Sequence, residues 1–293
     1  MIQRPPHLRG RGPHYPVLDQ VQQYPFAPGY VVFTMPCPKR LRVRHCGETL
    51  ADSSRALILF ESDHIPIYYF PLDDIRMDLL EPSDFTDTSP FKGVARHYSL
   101  RSAGSRGEAI AWHYDTPVAG CPDLSGHASF YWHEVDQWFE EDEEVFVHAR
   151  DPFRRVDCLR SGREVRIELA GTEVARSTGA VFLFETGLPT RYYLPASDIR
   201  MDLASPSALT TRCPYKGMAR YHHLTIGGRR FENLLWSYPD PVHESAPIRD
   251  LHCFSHEAVD RLLVDGVEQP RPVTSWSHGY NYRGYRARPA ESG

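Results

Sequence analysis

Cysteine is scarce in this chain, and its spacing excludes the sites that cysteine usually builds. The six cysteines stand at positions 37, 46, 121, 158, 213 and 253 of 293 residues. So thin a distribution does not make a disulfide scaffold. No two cysteines form a C-x-x-C pair, the commonest source of thiolates for a structural zinc site. We therefore expect reduced thiols.

Long apolar runs and an excess of one charge are also missing. No stretch approaches the ~18 consecutive apolar residues of a membrane helix, and the start, MIQRPPHLRGRGPHYP, lacks the apolar core of a signal peptide. The 33 basic and 38 acidic residues leave a net charge of −5, too mild to mark a nucleic-acid surface. We expect a cytoplasmic protein that binds neither nucleic acid nor membrane, with enough apolar residues, 41%, for one or two cores.

The chain contains a long internal duplication. Residues 42–144 align without a gap on residues 166–268, at an offset of 124 residues. YYFPLDDIRMDLLEPS (68–83) falls on YYLPASDIRMDLASPS (192–207), SPFKGVAR (89–96) on CPYKGMAR (213–220), and WHY (112–114) on WSY (236–238). An ungapped offset keeps every loop length, so we expect two copies of one fold that pack as a pseudo-symmetric pair with a cleft between them.

Short segments within each repeat have the pattern of strands. Residues 166–175 alternate apolar and polar side chains around Ala170 and Gly171, as in a hairpin. Residues 180–184 and 191–194 are apolar or aromatic runs typical of buried strands. Helical spacing is confined to residues 133–139 and 256–263. These patterns predict a mostly β protein with minor helix: two homologous small antiparallel β-sheet domains in tandem.

The alignment divides the chain into five parts. We expect an N-terminal arm over residues 1–38, a first repeat domain over 39–145, a linker over 146–164, a second repeat domain over 165–272 and a flexible tail over 273–293. The acidic run at residues 140–144 is interpreted as a solvated face. The alternative is that His148 or Asp151 contributes to a site between the domains.

The repeated blocks resemble a bacterial family of domains of unknown function, numbered 427, which also carries a nucleotidyltransferase-like label. The resemblance rests on ETGLPTRYYLP (185–195), DIRMDL (198–203), CPYKG (213–217), WSYPDP (236–241) and EEDEEVFVHARDP (140–152), and it covers nearly the whole repeat. It implies a tandem member of a small β-rich fold and no established reaction. We do not adopt the label, because the chain has neither a P-loop nor a G-S motif followed by paired aspartates.

The two repeats differ at positions that would carry chemistry. Cys213, Ser237, Pro239 and Asp240 of the second repeat take the places of Ser89, His113, Asp115 and Thr116 in the first. The two sites therefore cannot perform identical chemistry, which leaves open that only one of them is active.

Cys213 is the candidate nucleophile. Lys216 follows three residues later, and its ammonium would lower the pKa of the Cys213 thiol if the two side chains converge. The alternative is a small buried side chain, since Ser89 occupies the equivalent place.

Charged pairs shared by both repeats have a structural and a functional interpretation. Arg200 and Asp202, like Arg76 and Asp78, are two residues apart and could pair as a guanidinium–carboxylate fork. Retention in both repeats favours a fold role, because both halves must fold whereas only one need catalyse. Lys216 and Lys92 follow the same logic, with presentation of a charge to an anionic or carbonyl-bearing ligand as the functional alternative.

Aromatic residues at strand spacing suggest a wall beside these lysines, although core packing is the simpler interpretation. The residues are Trp236 and Tyr238, with Tyr192 and Tyr193 as further hydroxyl donors, and Tyr69, Trp112 and His113 as ligand contacts in the first repeat. Glu185 and Glu61 each end an apolar strand, where desolvation would raise the pKa of a carboxyl group.

Metal binding has the weakest support. His252 and His256 flank Cys253 at a spacing suited to one helix face, but the equivalent Ala128 and Trp132 offer no ligands and further ligands are not evident nearby. We expect no metal and no cofactor.

Together the residues suggest a metal-independent enzyme acting on an apolar, oxygenated small molecule, with an isomerase, a cyclase and a hydrolase all compatible. Its site would be an aromatic pocket in the second repeat or the interdomain cleft. Arg200 or Lys216 would polarise a carbonyl, with Asp202 paired to Arg200, and Tyr193 or Glu185 would handle a proton. Acid–base and thiol-assisted chemistry both fit. The alternative is a non-catalytic ligand-binding or protein-interaction module, and a homodimer is left open.

Overall fold

The structure, a computed structural model, describes residues 22–24, 26–62, 64–101 and 107–274. The chain forms two compact units that divide between Asp151 and Pro152. Within the described ranges, no helix has both the length and the apolar character that crossing a membrane requires.

The first unit consists of two antiparallel sheets. Its strands are β1 (Gln22–Tyr24), β2 (Ala27–Pro36), β3 (Leu41–His45), β4 (Glu48–Ser53), β5 (Leu57–Glu61), β6 (Ile67–Pro71), β7 (Leu80–Ser89), β8 (Gly93–Leu100), β9 (Ala111–His113), β10 (His127–Phe130), β11 (Gln137–Glu140) and β12 (Glu143–Val145). The larger sheet has the order β1-β2-β5-β6-β10-β9-β8-β7, and the smaller has the order β12-β11-β3-β4.

The second unit repeats this plan. Its strands are β13 (Val156–Ser161), β14 (Val165–Leu169), β15 (Thr172–Ser177), β16 (Ala180–Glu185), β17 (Arg191–Pro195), β18 (Ala204–Cys213), β19 (Gly217–Ile226), β20 (Arg229–Ser237), β21 (Leu251–Phe254), β22 (Arg261–Val264) and β23 (Val267–Glu268). The larger sheet has the order β13-β16-β17-β21-β20-β19-β18, and the smaller has the order β15-β14-β22-β23. The prediction of two homologous antiparallel β-sheet domains in tandem is confirmed.

Helical structure is limited to short 3₁₀ segments in the described residues. They are Leu72–Asp74, Met77–Leu79, Ala196–Asp198, Met201–Leu203 and His243–Ile248. The helical spacing at residues 133–139 and 256–263 does not correspond to helices. These segments are turns that lead into β11 and β22. β11 pairs with β3, and β22 pairs with β14. This strand pairing outweighs a helical spacing that covers only about two turns.

The expected domain boundaries shift. Residues 27–36, placed in the arm, form β2 and pair with β5. Residues 156–161, placed in the linker, form β13 and pair with β16. Ala149, also placed in the linker, is fully buried in the core of the first unit. Residues 1–21 of the expected arm and residues 275–293 of the expected flexible tail lie outside the described residues.

Each large sheet buries both of its faces. The face toward the small sheet forms what we call the inner core, which joins residues of both sheets, such as Val43 and Phe70 in the first unit and Ile167 and Phe254 in the second. The opposite face carries a second apolar group, here called the outer cluster, which includes Tyr69 and Trp112 or Tyr193 and Cys253. Because successive residues of a strand point to opposite faces, neighbours in the sequence are separated between these two groups.

Candidate functional site

A buried ion pair lies beside the outer cluster in each unit. The Nζ of Lys216 donates a hydrogen bond to Oε2 of Glu185, and the Nζ of Lys92 does the same to Oε2 of Glu61. The side chains of Lys216 and Glu185 are only 12% and 5% exposed. Such a pair is costly to desolvate, so each charge depends on its partner.

The strand ends and turns of the sheet bring this pair together. Glu185 is the last residue of β16, as Glu61 is of β5. Lys216 lies in the turn between β18 and β19. The backbone carbonyl of Lys216 accepts a hydrogen bond from the N–H of Val242 at 3.3 Å, so the loop after β20 is anchored over the same turn.

A third group distinguishes the two ion pairs. In the first unit the Tyr30 hydroxyl donates to Oε1 of Glu61 at 2.9 Å. At the equivalent position of the second unit, Nη1 of Arg154 donates to Oε1 of Glu185 at 3.3 Å, and its guanidinium lies over the Tyr215 ring. Among the contacts of the described residues, the carboxylate of the second unit is bound by a lysine and an arginine, whereas that of the first unit is bound by a lysine and a tyrosine hydroxyl.

A row of side chains crosses the outer face of the second large sheet. Strand pairing aligns Tyr193 with Cys253, Cys253 with Trp236, and Trp236 with Tyr221. The indole Nε1 of Trp236 donates to the Tyr193 hydroxyl at 3.2 Å. Tyr238, two residues after Trp236, joins the same cluster. Trp236, Tyr193 and Tyr238 therefore lie on the same face of this sheet.

The first unit has a related row with different chemistry. Trp112 donates to the Tyr69 hydroxyl at 3.1 Å, which repeats the indole–phenol bond of the second unit. Across the sheet, Trp112 is aligned with Ser129 and His97, where the second unit has Cys253 and Tyr221. The aromatic frame is therefore common to both units, and its polar members differ.

Burial controls the protonation of this cluster. Desolvation raises the pKa of the Tyr193 phenol far above its usual range, and burial followed by the nearby Cys213 does the same for Tyr238. Burial also raises the pKa of the Cys253 thiol to about 12. At neutral pH these three groups are therefore protonated, so none of them is available as a base or as a thiolate nucleophile.

The duplicated geometry corresponds to a duplicated family match. A family model described as a domain of unknown function (DUF427) matches residues 34–141 and again residues 157–265. The chain belongs to this family. A search of curated proteins finds no match to the chain.

The second DUF427 domain carries an additional ion pair that the sequence analysis missed. Both Nη atoms of Arg191 bind the Glu257 carboxylate, at 2.8 and 2.6 Å, and the guanidinium lies 5.6 Å from the centre of the Trp236 ring. Burial opposes the charge of Glu257, but the hydrogen bonds and charge of Arg191 lower its pKa to about 2. Ile67 and His133 occupy these positions in the first DUF427 domain, so asymmetry between the repeats was the available signal.

The structure separates Arg200 and Asp202 from this site. Nε and Nη2 of Arg200 bind Asp202 at 2.8 and 2.6 Å in a fork that is more than half exposed. The fork lies on a 3₁₀ turn whose Met201 and Leu203 pack against the inner core. Arg76 and Asp78 form the same fork in the first DUF427 domain. The guanidinium–carboxylate fork that the spacing predicted is therefore present in both domains.

Two further candidates face away from the outer cluster. Tyr192 belongs to the inner core and packs edge-on against Phe182, with ring centres 4.8 Å apart. His113, next to Trp112, bonds to Asp115 and packs against the Tyr98 ring. The alternation of strand side chains places each of them on the opposite face from its neighbour in the sequence.

Cys213 remains beside the site, but Lys216 has another partner. Cys213 is half-buried at the end of β18 and packs against the outer cluster. The Nζ of Lys216, which the nucleophile hypothesis paired with this thiol, binds Glu185 instead.

The proposed helix face of His252 and His256 does not exist. His252 lies on β21, and His256 follows in a turn. The His252 ring packs against His222, with ring centres 5.7 Å apart. Burial, followed by the charge of His222, lowers the pKa of His252. Burial, followed by the charge of His223, lowers the pKa of His222.

Proposed function

We propose that the second repeat binds a small molecule that combines an apolar body with a carbonyl or carboxylate oxygen, and that Glu185 and Lys216 exchange protons with it. The observation that carries this proposal is the cluster of Arg154, Glu185 and Lys216 beside an aromatic wall. Two cations contact one carboxylate there.

The two cations favour an anionic or strongly polarised oxygen. Arg154 is 30% exposed and Lys216 is 12% exposed, so both reach solvent from a largely buried cluster. In such a low-dielectric position a cation attracts an oxyanion more strongly than it does in water. The Tyr215 ring lies against the Arg154 guanidinium. Trp236, Tyr215 and Tyr221 are half-buried and would pack against the apolar part of the ligand.

The chemistry that fits this arrangement is proton transfer next to a carbonyl group. Lys216 would donate a hydrogen bond to the carbonyl oxygen and stabilise the enolate, while Glu185 would accept a proton from the adjacent carbon and return it. Arg154 would hold a carboxylate of the same ligand. The phenols of Tyr193 and Tyr238 and the Cys253 thiol are protonated at neutral pH, so none of these three groups serves as the base.

A non-catalytic binding site is the second candidate. It is favoured by the same ion pair, because Lys216 and Glu185 bind each other directly and a ligand must separate them before a proton can move. In that case the ligand would contact Arg154 and Lys216 from the solvent side and remain unchanged.

Binding can be tested with phenylpyruvate, which has an aromatic ring, a ketone, a carboxylate and an exchangeable methylene group. Phenylacetone, which has the ring and ketone without the carboxylate, is the matched probe. We expect isothermal titration to show phenylpyruvate binding that weakens about tenfold or more in Arg154→Tyr, since a charge-assisted hydrogen bond contributes about 1.5–3 kcal/mol. The control is Tyr30→Arg, which changes only the first repeat and should leave this affinity unaltered. Equal affinities for both probes, or no effect of Arg154→Tyr, would contradict the proposed binding site.

Catalysis can be tested with the same compound in D₂O. We expect the protein to accelerate exchange of the methylene protons, followed by NMR, and expect Glu185→Gln and Lys216→Met to abolish the acceleration. Lys92→Met is the control in the first repeat. Binding without accelerated exchange would select the non-catalytic alternative.

A further inference from the structure

The first repeat holds a further group of chemically reactive side chains. This group is distant in sequence from the ion pair of Lys216 and Glu185, and it is unrelated to the proposed function. One ligand atom each of His45, Cys46 and Asp136 lie within 4.8 Å of one another. In the described part of the chain, this is the single set of three or more His, Cys, Asp or Glu side chains gathered so closely.

The fold brings these residues together at the end of the small sheet. His45 ends β3, and Cys46 and Gly47 form the turn into β4. Cys46 and Gly47 have φ angles of 49° and 83°, as a tight two-residue hairpin requires. Asp136 immediately precedes β11, which pairs with β3, so it lies across from His45.

The two oxygens of Asp136 have separate roles. Oδ2 accepts a hydrogen bond from the backbone N–H of Cys46 at 2.8 Å, which fixes the orientation of the carboxylate. Oδ1 lies 3.4 Å from Nδ1 of His45. Two ligands of a tetrahedral zinc ion with bonds of 2.0–2.1 Å are about 3.3–3.4 Å apart, so this spacing already fits a shared ion.

The second repeat provides an internal comparison. Asp260 occupies the place of Asp136, and its Oδ2 accepts a hydrogen bond from the N–H of Ala170 at 2.6 Å. The turn is therefore stabilised in the same way in both units. However, Leu169 and Ala170 replace His45 and Cys46. The aspartate is needed for the turn, whereas the imidazole and the thiol are not.

We propose that His45, Cys46 and Asp136 form a binding site for a divalent transition-metal ion of the zinc type. An imidazole nitrogen, a thiolate and a carboxylate are ligands that zinc accepts, and a thiolate with a carboxylate balances the charge of the ion. His45 is buried, whereas Cys46 and Asp136 are exposed. The fourth position of the tetrahedron consequently opens to solvent, where water or a ligand completes it.

The test is metal titration of the full chain, with the residues of the second repeat as substitutions. We expect the metal-free protein to bind one equivalent of Zn²⁺, and Co²⁺ to give the tetrahedral visible spectrum and the thiolate charge-transfer band of a Co–S bond. His45→Leu and Cys46→Ala introduce the side chains that the same turn carries in the second repeat, so the fold should tolerate them. Each should weaken Zn²⁺ binding by at least about 10-fold, since even loss of an outer-shell partner costs that much.

A gain-of-site variant supplies an independent test. The double substitution Leu169→His and Ala170→Cys beside Asp260 should add a second equivalent of metal, and Cys46→Ser should remove the Co–S band of the unmodified turn. Absence of stoichiometric metal in the native chain would overturn the proposal. So would retention of the metal and the Co–S band after Cys46 is replaced, because the ligands would then lie elsewhere.

Discussion

Single residues determine how the two repeats differ in charge. The ion pair of lysine and glutamate is common to both, but Tyr30 supports it in one and Arg154 in the other. Arg191 and Glu257 add a second ion pair to one repeat only. Both differences increase the number of buried charges in the second repeat, which is why we assign the small-molecule site to that half.

Removal of one member of a buried ion pair should be more damaging than removal of both. Glu185→Gln leaves the buried ammonium of Lys216 without its carboxylate, and we expect it to lower the free energy of unfolding of the second unit by about 3 kcal/mol. Lys216→Met leaves Glu185 with Arg154 as its remaining cation, so we expect a smaller loss. The double variant should lose less than the sum of the two single losses. Urea unfolding of the four proteins measures this cycle. Additive losses would show that the two side chains do not interact.

Glu257 should make the second unit sensitive to acid. Arg191 lowers the pKa of Glu257 from 4.5 to about 2, so the folded state keeps the carboxylate ionised where the unfolded chain would bind a proton. The resulting stability is present above about pH 4.5 and is lost as the pH falls from there toward 2. We expect the free energy of unfolding of Glu257→Gln to fall less steeply across this window than that of the native protein. Parallel curves would contradict the assignment.

Among the elements, the turn that carries each lysine has the strictest geometric demand. Gly217 has a φ of 100°, and a Cβ built there would lie 2.9 Å from the carbonyl oxygen of Asp240. Gly93 has the same conformation, with Thr116 at 3.1 Å. Glycine therefore follows the lysine in both repeats, because the covering loop passes directly against the turn.

Substitution of Gly217 should distinguish the effect of a clash with the covering loop from the effect of backbone strain. Gly217→Ala adds a clash with the Asp240 carbonyl to an unfavourable φ, and we expect a loss of about 3 kcal/mol or more in unfolding free energy. Gly171→Ala is the control, since Gly171 has a φ of 71° and open space around it. Strain alone should cost it about 1–2 kcal/mol. Equal losses in urea unfolding would show that the covering loop yields.

The strands differ in how well local patterns predicted them. Alternation around Ala170 and Gly171 predicted the hairpin of β14 and β15, because one face of that hairpin is buried and the other is exposed. The apolar run at residues 180–184 predicted β16, which is buried on both faces. The helical spacing of residues 133–139 and 256–263 was a wrong indication, because the structure of these segments is set by the pairing of β11 and β22 with distant strands.

At the scale of the whole molecule, each unit has a complete core of its own. The inner core and outer cluster of the second unit contain only residues from 156 to 264. Since no apolar group of the described chain is shared between the units, we expect a fragment of residues 152–274 to fold alone. It should unfold in urea in one cooperative transition at a midpoint close to that of the second unit in the full chain. A fragment without a cooperative transition would show that the first unit is required.

By itself, the sequence determined the duplication, the β class and the hairpin turns. It also identified Trp236, Tyr193 and Lys216 as candidates for one binding site. The internal alignment and the alternation of apolar and polar residues along a strand are both read from the sequence alone, so they need no structure. Only the tertiary structure decided which charges meet. Arg154 is 31 residues from Glu185 and Arg191 is 66 residues from Glu257, so strand pairing alone brings them into contact. The tertiary structure also decided which face of the sheet each strand residue occupies. Tyr192 and Tyr193 are adjacent in the chain, yet Tyr192 lies in the inner core and Tyr193 in the outer cluster.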